Sequence, residues 1–178
     1  MMISCKTYFP NAIKLTLRYN SSNESEYSLP TILNHILPLK QLTQLPINSP
    51  NIHFEVVIEL LHFLPNLHTL MFNLESFNNI DLVLIQQNET FQIVSNTNTI
   101  RNMIIKSNCT FQQLKLLINI CPQIQQLSMC IHKIFLEVAL LFLLSNDNEY
   151  THELHSLCIT HSIVKGIEII NNLHQSQK

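Results

Sequence analysis

The chain has 178 residues, of which 46% are hydrophobic and only 12% charged, with a net charge of −2. That is enough apolar material for one buried core, yet charge is scarce against the roughly 25% usual in globular domains. There is no basic footprint for nucleic acid or an anionic membrane surface, and one glycine, Gly166, cannot build phosphate-cradling loops, dinucleotide fingerprints or nucleophile elbows.

The N-terminus, Met1-Met2-Ile3-Ser4-Cys5-Lys6, has no apolar signal region, and no apolar run reaches the ~20 residues of a spanning helix. Five cysteines (Cys5, Cys109, Cys121, Cys130, Cys158) are scattered and odd in number. Reduced thiols in a cytoplasmic or nuclear protein are therefore expected.

The first patterned stretch is Pro10-Asn11-Ala12-Ile13-Lys14-Leu15-Thr16-Leu17, with apolar residues two, five and seven positions after the proline. The same frame returns in Pro65 to Phe72 (Leu67, Leu70, Phe72) and in Pro122 to Met129 (Ile124, Leu127, Met129). Without the proline it appears as Leu42-x-x-Leu45-x-Ile47, Ile100-x-x-Met103-x-Ile105 and Leu154-x-x-Leu157-x-Ile159. The six middle positions are spaced 30, 25, 33, 24 and 30 residues apart, straddling the roughly 20–29-residue period of leucine-rich repeats. Alternation sends the last two apolar side chains of each copy to one face. A single such strand cannot bury that face, so parallel stacking into an α/β solenoid of about six irregular units is expected.

Helical spacing fills the intervals. Phe54 begins a stripe through Val57, Ile58, Leu61 and Leu64; Phe111 begins one through Leu114, Leu117, Ile118 and Cys121; Leu29 begins one through Ile32, Leu33, Ile36 and Leu39. Pro65 and Pro122 fall where the helices must stop and extended chain must begin. Residues 77 to 99 form a longer unit, read as two short helices. Residues 134 to 144 are expected to be a buried helix, followed by a polar excursion at 145–149.

One domain over 1–178 is predicted, with units beginning near 10, 40, 65, 98, 122 and 152 and a closing helix at 161–174. Ser21 to Ser28 reads as a loop. The first strand needs a cover against edge pairing, from residues 1–9 or from a preceding domain.

His152-x-x-His155-x-x-Cys158-x-x-His161 is the densest set of potential metal ligands. It overlaps the sixth strand frame, where Cys158 points opposite to Leu157 and the four cannot converge. No metal, cofactor or catalytic residue is assigned, and the chain is read as a non-enzyme. The informative surface is the other face of the strands. Its residues are Lys14, Thr16 and Arg18; Gln44, Pro46 and Asn48; Thr69, Met71 and Asn73; Asn102, Ile104 and Lys106; Gln126, Ser128 and Cys130; and Ser156, Cys158 and Thr160. Met71, Ile104 and Cys130 form an apolar strip among amides, which suits protein contact, and Met71, Ile104 and Gln126 are expected at nearly equivalent strand positions.

The phrases Phe9-Pro10-Asn11-Ala12-Ile13-Lys14-Leu15, Leu64-Pro65-Asn66-Leu67-His68-Thr69-Leu70 and Cys121-Pro122-Gln123-Ile124-Gln125-Gln126-Leu127 resemble the degenerate leucine-rich repeats in the C-terminal half of F-box proteins, over about residues 9 to 165. The resemblance implies the substrate-receptor part of a ubiquitin ligase, with a protein target on the concave face and a Skp-type adaptor only where an F-box lies upstream. No F-box is evident, since Leu29-Pro30 to Leu37 lacks the acidic residue of its opening and coincides with a repeat helix. A stand-alone binding or inhibitor scaffold is the second expectation, and an enzyme or metal-binding protein built on the His/Cys residues ranks third.

Overall fold

The computed structural model describes residues 8–18, 28–48, 52–73, 82–145 and 151–160. The N-terminal cover at 1–7, most of the loop at 21–28, the polar excursion beyond 145 and the closing helix at 161–174 lie outside them.

The architecture is α/β. Five parallel strands form one sheet in the order β1-β2-β3-β4-β5: Gln44–Ile47, Thr69–Phe72, Asn102–Cys109, Gln126–Ile131 and Ser156–Ile159. Their pairing puts Leu45, Leu70, Met103, Leu127 and Leu157 in one row and Ile47, Phe72, Ile105, Met129 and Ile159 in another. These are the last two apolar positions of each frame. The offset between paired strands equals the sequence interval between frames at every junction, because parallel stacking superimposes equivalent positions.

A recurring hydrogen-bond step locks this register. The carbonyl just before each strand accepts two N–H groups from the start of the next. Thr43 takes those of His68 and Thr69, His68 those of Arg101 and Asn102, Arg101 those of Gln125 and Gln126, and Gln125 those of His155 and Ser156, all at 2.8–3.1 Å. The Ile13 carbonyl does the same for Thr43 and Gln44 at 2.8 and 3.2 Å.

The first frame, however, is not a sixth strand. It touches β1 only through bridges at Lys14–Gln44 and Leu17–Ile47. The reason is Pro46. The Gln44 and Asn48 N–H groups donate to the Ile13 and Leu17 carbonyls, and the residue between them that should reach Leu15 has no N–H to give.

Helices cover one face of the sheet: α1 (Leu29–Asn34), α2 (Phe54–His62), α3 (Leu82–Gln87), α4 (Glu89–Thr97), α5 (Phe111–Ile120) and α6 (Leu136–Leu144). α1 packs on α2, α2 on α4, α4 on α5 and α5 on α6. Their stripes and the inward strand rows make one cluster, in which Leu45, Val57, Leu70, Phe72, Met103, Leu114 and Ile124 are fully buried. α5 starts from a capping box between Thr110 and Gln113, and α4 from the Asn88 carboxamide, which accepts from Thr90 and Phe91. The described part of the long unit, from residue 82 on, holds two helices, α3 and α4.

Two helical expectations are corrected. The stripe from Leu29 to Leu39 is not one helix: α1 stops at Asn34 and a separate 3₁₀ turn, Leu39–Gln41, follows, because Pro38 disfavours helical backbone in the residue before it. α6 is not buried all round. It begins at Leu136, after a 3₁₀ turn at Lys133–Phe135 that holds the exposed Ile134; Leu136, Ala139, Leu140 and Leu143 face the core, whereas Val138, Leu141 and Leu144 are exposed.

Candidate functional site

The outward face of the sheet gathers the residues singled out in the sequence into three rows. The first contains Gln44, Thr69, Asn102, Gln126 and Ser156, with Lys14 bridged to Gln44 at the open edge. The second contains Pro46, Met71, Ile104, Ser128 and Cys158. By the offset of the edge bridges, Thr16 stands beside Pro46. Beyond the paired residues a third row continues as Arg18, Asn48, Asn73 and Lys106; Asn48 donates to the Leu17 carbonyl and Asn73 to that of Ile47.

The alignment corrects one expectation. Gln126 stands in register with Asn102 and Thr69, two positions short of Ile104, and Ser128 takes the place beside Ile104. Gln126 precedes Leu127 as Thr69 precedes Leu70, whereas Met71 follows Leu70 and Ile104 follows Met103.

Exposure divides the rows. Gln44, Gln126, Lys14, Thr16, Arg18 and Lys106 are exposed, and Thr69, Met71, Asn73, Asn102, Ile104 and Ser128 are half-buried. Neighbouring strands stand ~4.8 Å apart, so Met71 and Ile104 present one contiguous apolar spot. Around it lie hydroxyls and amides, among which Asn102 reaches Thr69 Oγ1 only at 3.5 Å.

Pro46 and Cys130 do not belong to the accessible strip. Both are buried. At Cys130 the cause is a bulge in β3: Ile105 pairs with Met129 but Asn108 pairs with Cys130, which leaves Lys106 and Ser107 as two extra residues. Asn108 is thereby brought to the thiol, whose Sγ donates to its Oδ1 at 2.9 Å. Burial pushes the Cys130 thiol up, against a hydrogen bond from Thr160. Burial, helped by Cys130, pushes Cys109 up to about 12, and burial raises Cys121 as well. Such thiols stay protonated and unreactive at neutral pH.

Of the His/Cys series, Cys158 stands where the strand frame puts it. Cys158 is exposed in register with Ser128, while Leu157 pairs with Leu127 on the inner face. His152 lies against Glu153 at 3.5 Å in the turn before β5, and His161 is outside the described residues. No group of three or more His, Cys, Asp or Glu able to hold a metal occurs among the described residues. On the helix side an open cleft of about 330 Å³ is lined by Gln86, Gln92, Ser95, Asn96 and Asn119 over Phe91 and Pro122. Its lining has no titratable group, so it offers hydrogen bonds but no acid, base or nucleophile.

Sequence reasoning missed Asn98. Its buried carboxamide donates to the Val94 carbonyl at 2.7 Å and to that of Ile120, and it accepts from Ile100 N–H at 3.2 Å. It ties the end of α4 and the start of the β3 frame to the end of α5. The signal available was a polar residue two places before a frame. No helix among the described residues is long and apolar enough to cross a membrane. Compared with known proteins, the chain matches no family model, no curated sequence and no solved structure.

Proposed function

We propose that this chain is a protein-recognition scaffold of the leucine-rich-repeat solenoid type, which takes a protein target on the outward face of its sheet. The observation that carries the reading is the register-aligned pair Met71 and Ile104, partly exposed on an otherwise polar sheet. A few apolar side chains ringed by polar groups usually supply most of the energy of a protein contact. The repeated carbonyl step, the sequential strand order and the equality of frame interval and pairing offset support the solenoid. In keeping with the resemblance to F-box receptors, the target would be a ligase substrate, with a Skp-type adaptor engaged only by an F-box upstream. A stand-alone binding or inhibitor role uses the same face.

The experiment compares two double variants in quantitative capture of the natural partner. Met71→Asp with Ile104→Asp is expected to abolish capture while leaving the circular dichroism melt nearly unchanged. Glu55→Lys with Glu59→Lys, on the helix side, is expected to leave capture intact. The reverse pattern would move the binding surface to the helices and refute the proposal.

A further inference from the structure

Building on the recognition reading, we infer that the segment this face takes is acidic: a stretch of protein with carboxylates on either side of an apolar anchor. Among the described residues acids are missing from the outward face, whereas cations occur both there and elsewhere, at Lys40, Arg101, Lys115 and Lys133. On the outward side of the sheet the charged residues are Lys14, Arg18 and Lys106, all basic and all exposed. The described acids lie elsewhere: Glu55 and Glu59 on α2, Glu89 on α4, Glu137 on α6, and Glu153 beside His152 before β5. Among the described residues this face therefore carries positive charge and no negative charge.

The placement of these cations narrows the partner. Arg18 and Lys106 end the row that runs through Asn48 and Asn73, three strand spacings apart or roughly 14 Å. In the adjoining row Ile104 stands on the strand that carries Lys106, and Met71 one strand nearer Arg18. Lys14 stands at the open edge, one row further toward the strand starts. Among the described residues no ion pair involves any of these three cations. An apolar anchor over Met71 and Ile104 would set flanking acids near the cations, where attraction falls off within about one Debye length. Single-stranded nucleic acid is the weaker match, because its binders stack bases on aromatic rings and these rows carry none.

The test uses the full chain and short synthetic peptides with one Leu-Met-Leu centre flanked by Asp and Glu, by Ser and Gln, or by Lys, together with a single-stranded oligouridine. Binding is read by fluorescence anisotropy at two salt concentrations. The acid-flanked peptide is expected to bind about tenfold tighter than the neutral one at about 50 mM salt, with the gap closing by about 300 mM. The triple variant Lys14→Glu, Arg18→Glu, Lys106→Glu should erase that preference, so that the acid-flanked peptide binds no tighter than the neutral one. The triple Gln variant should do so to a lesser degree, and it guards against misfolding in the first. Equal binding of acidic and neutral peptides, no binding of any peptide, a preference that survives the triple variant, or oligouridine binding that depends on the three cations would each overturn the inference. The recognition reading falls separately, if Met71→Asp with Ile104→Asp leaves capture of the natural partner intact.

Discussion

Leu70 and Thr69 are neighbours in sequence and opposites in environment. Leu70 is fully buried between Leu45 and Met103, while Thr69 looks out of the sheet half-exposed. Leu70→Ala should cost ~2–5 kcal/mol of stability, and Thr69→Ala no more than ~0.5 kcal/mol. Equal shifts of the urea midpoint would show the inward row to be misassigned. Asn98 offers a polar counterpart. Replacing it with Ala strands the Ile120 carbonyl and the Ile100 N–H in the interior, at an expected ~1–3 kcal/mol. Asn98→Asp keeps the acceptor but loses both donated bonds, so it should destabilise too, and a thermal midpoint equal to that of the parent chain would rule the cross-link out.

At the scale of single elements, α6 has a near-uniform apolar sequence, LEVALLFLL, but two different sides. Leu140 lies in the core and Leu141 is 49% exposed. Leu140→Ala should therefore lower the melting temperature by several degrees, whereas Leu141→Lys should leave it unchanged and reduce any tendency to associate through that apolar stripe. The other informative element is the edge beside β1. Pro46→Thr supplies an N–H aimed at the Leu15 carbonyl and should extend the two bridges into a continuous ladder. Hydrogen exchange gives the readout: the new amide at position 46 should be protected, and free exchange there would mean the edge segment does not follow β1.

For the molecule as a whole, the buried thiols give stability a pH dependence. Cys109 sits at about 12 when folded against an ordinary 9.0, and Cys121 is also raised, both through burial. Below pH 9 neither state ionises these thiols, and their contribution to stability is intact. Between 9 and about 12 the unfolded chain loses protons that the folded chain keeps, so stability should fall by up to ~1.4 kcal/mol per pH unit for each such thiol. Replacing Cys109 with Ala should flatten part of that decline in chemical unfolding followed against pH; an unchanged slope would show that the thiol titrates alike in both states. Each hydrogen-bonded step joins one strand to the next in the sheet, so Leu70→Ala should speed amide exchange more in β1 and β3 than in β5.

The apolar frames in the sequence already dictate much of this arrangement. A residue pattern such as Leu67-x-x-Leu70-x-Phe72 specifies a strand, its inward side and, through the spacing to the next copy, its pairing partner, because parallel strands align equivalent positions. The outward residues Thr69, Met71, Asn102 and Ile104 follow from the same alternation. Other features depend on which neighbour a group meets. The consequence of Pro46 turns on the strand toward which its missing N–H points, and that direction exists only once β1 has partners on either side. The bulge at Lys106 and Ser107 likewise decides that Cys130 is covered, since no local pattern records how many residues of β3 oppose one step of β4. In α6 almost every residue is apolar, so composition carries no phase; the packing of α5 and the sheet selects Leu136, Ala139, Leu140 and Leu143 as the inner side and leaves Val138, Leu141 and Leu144 facing out.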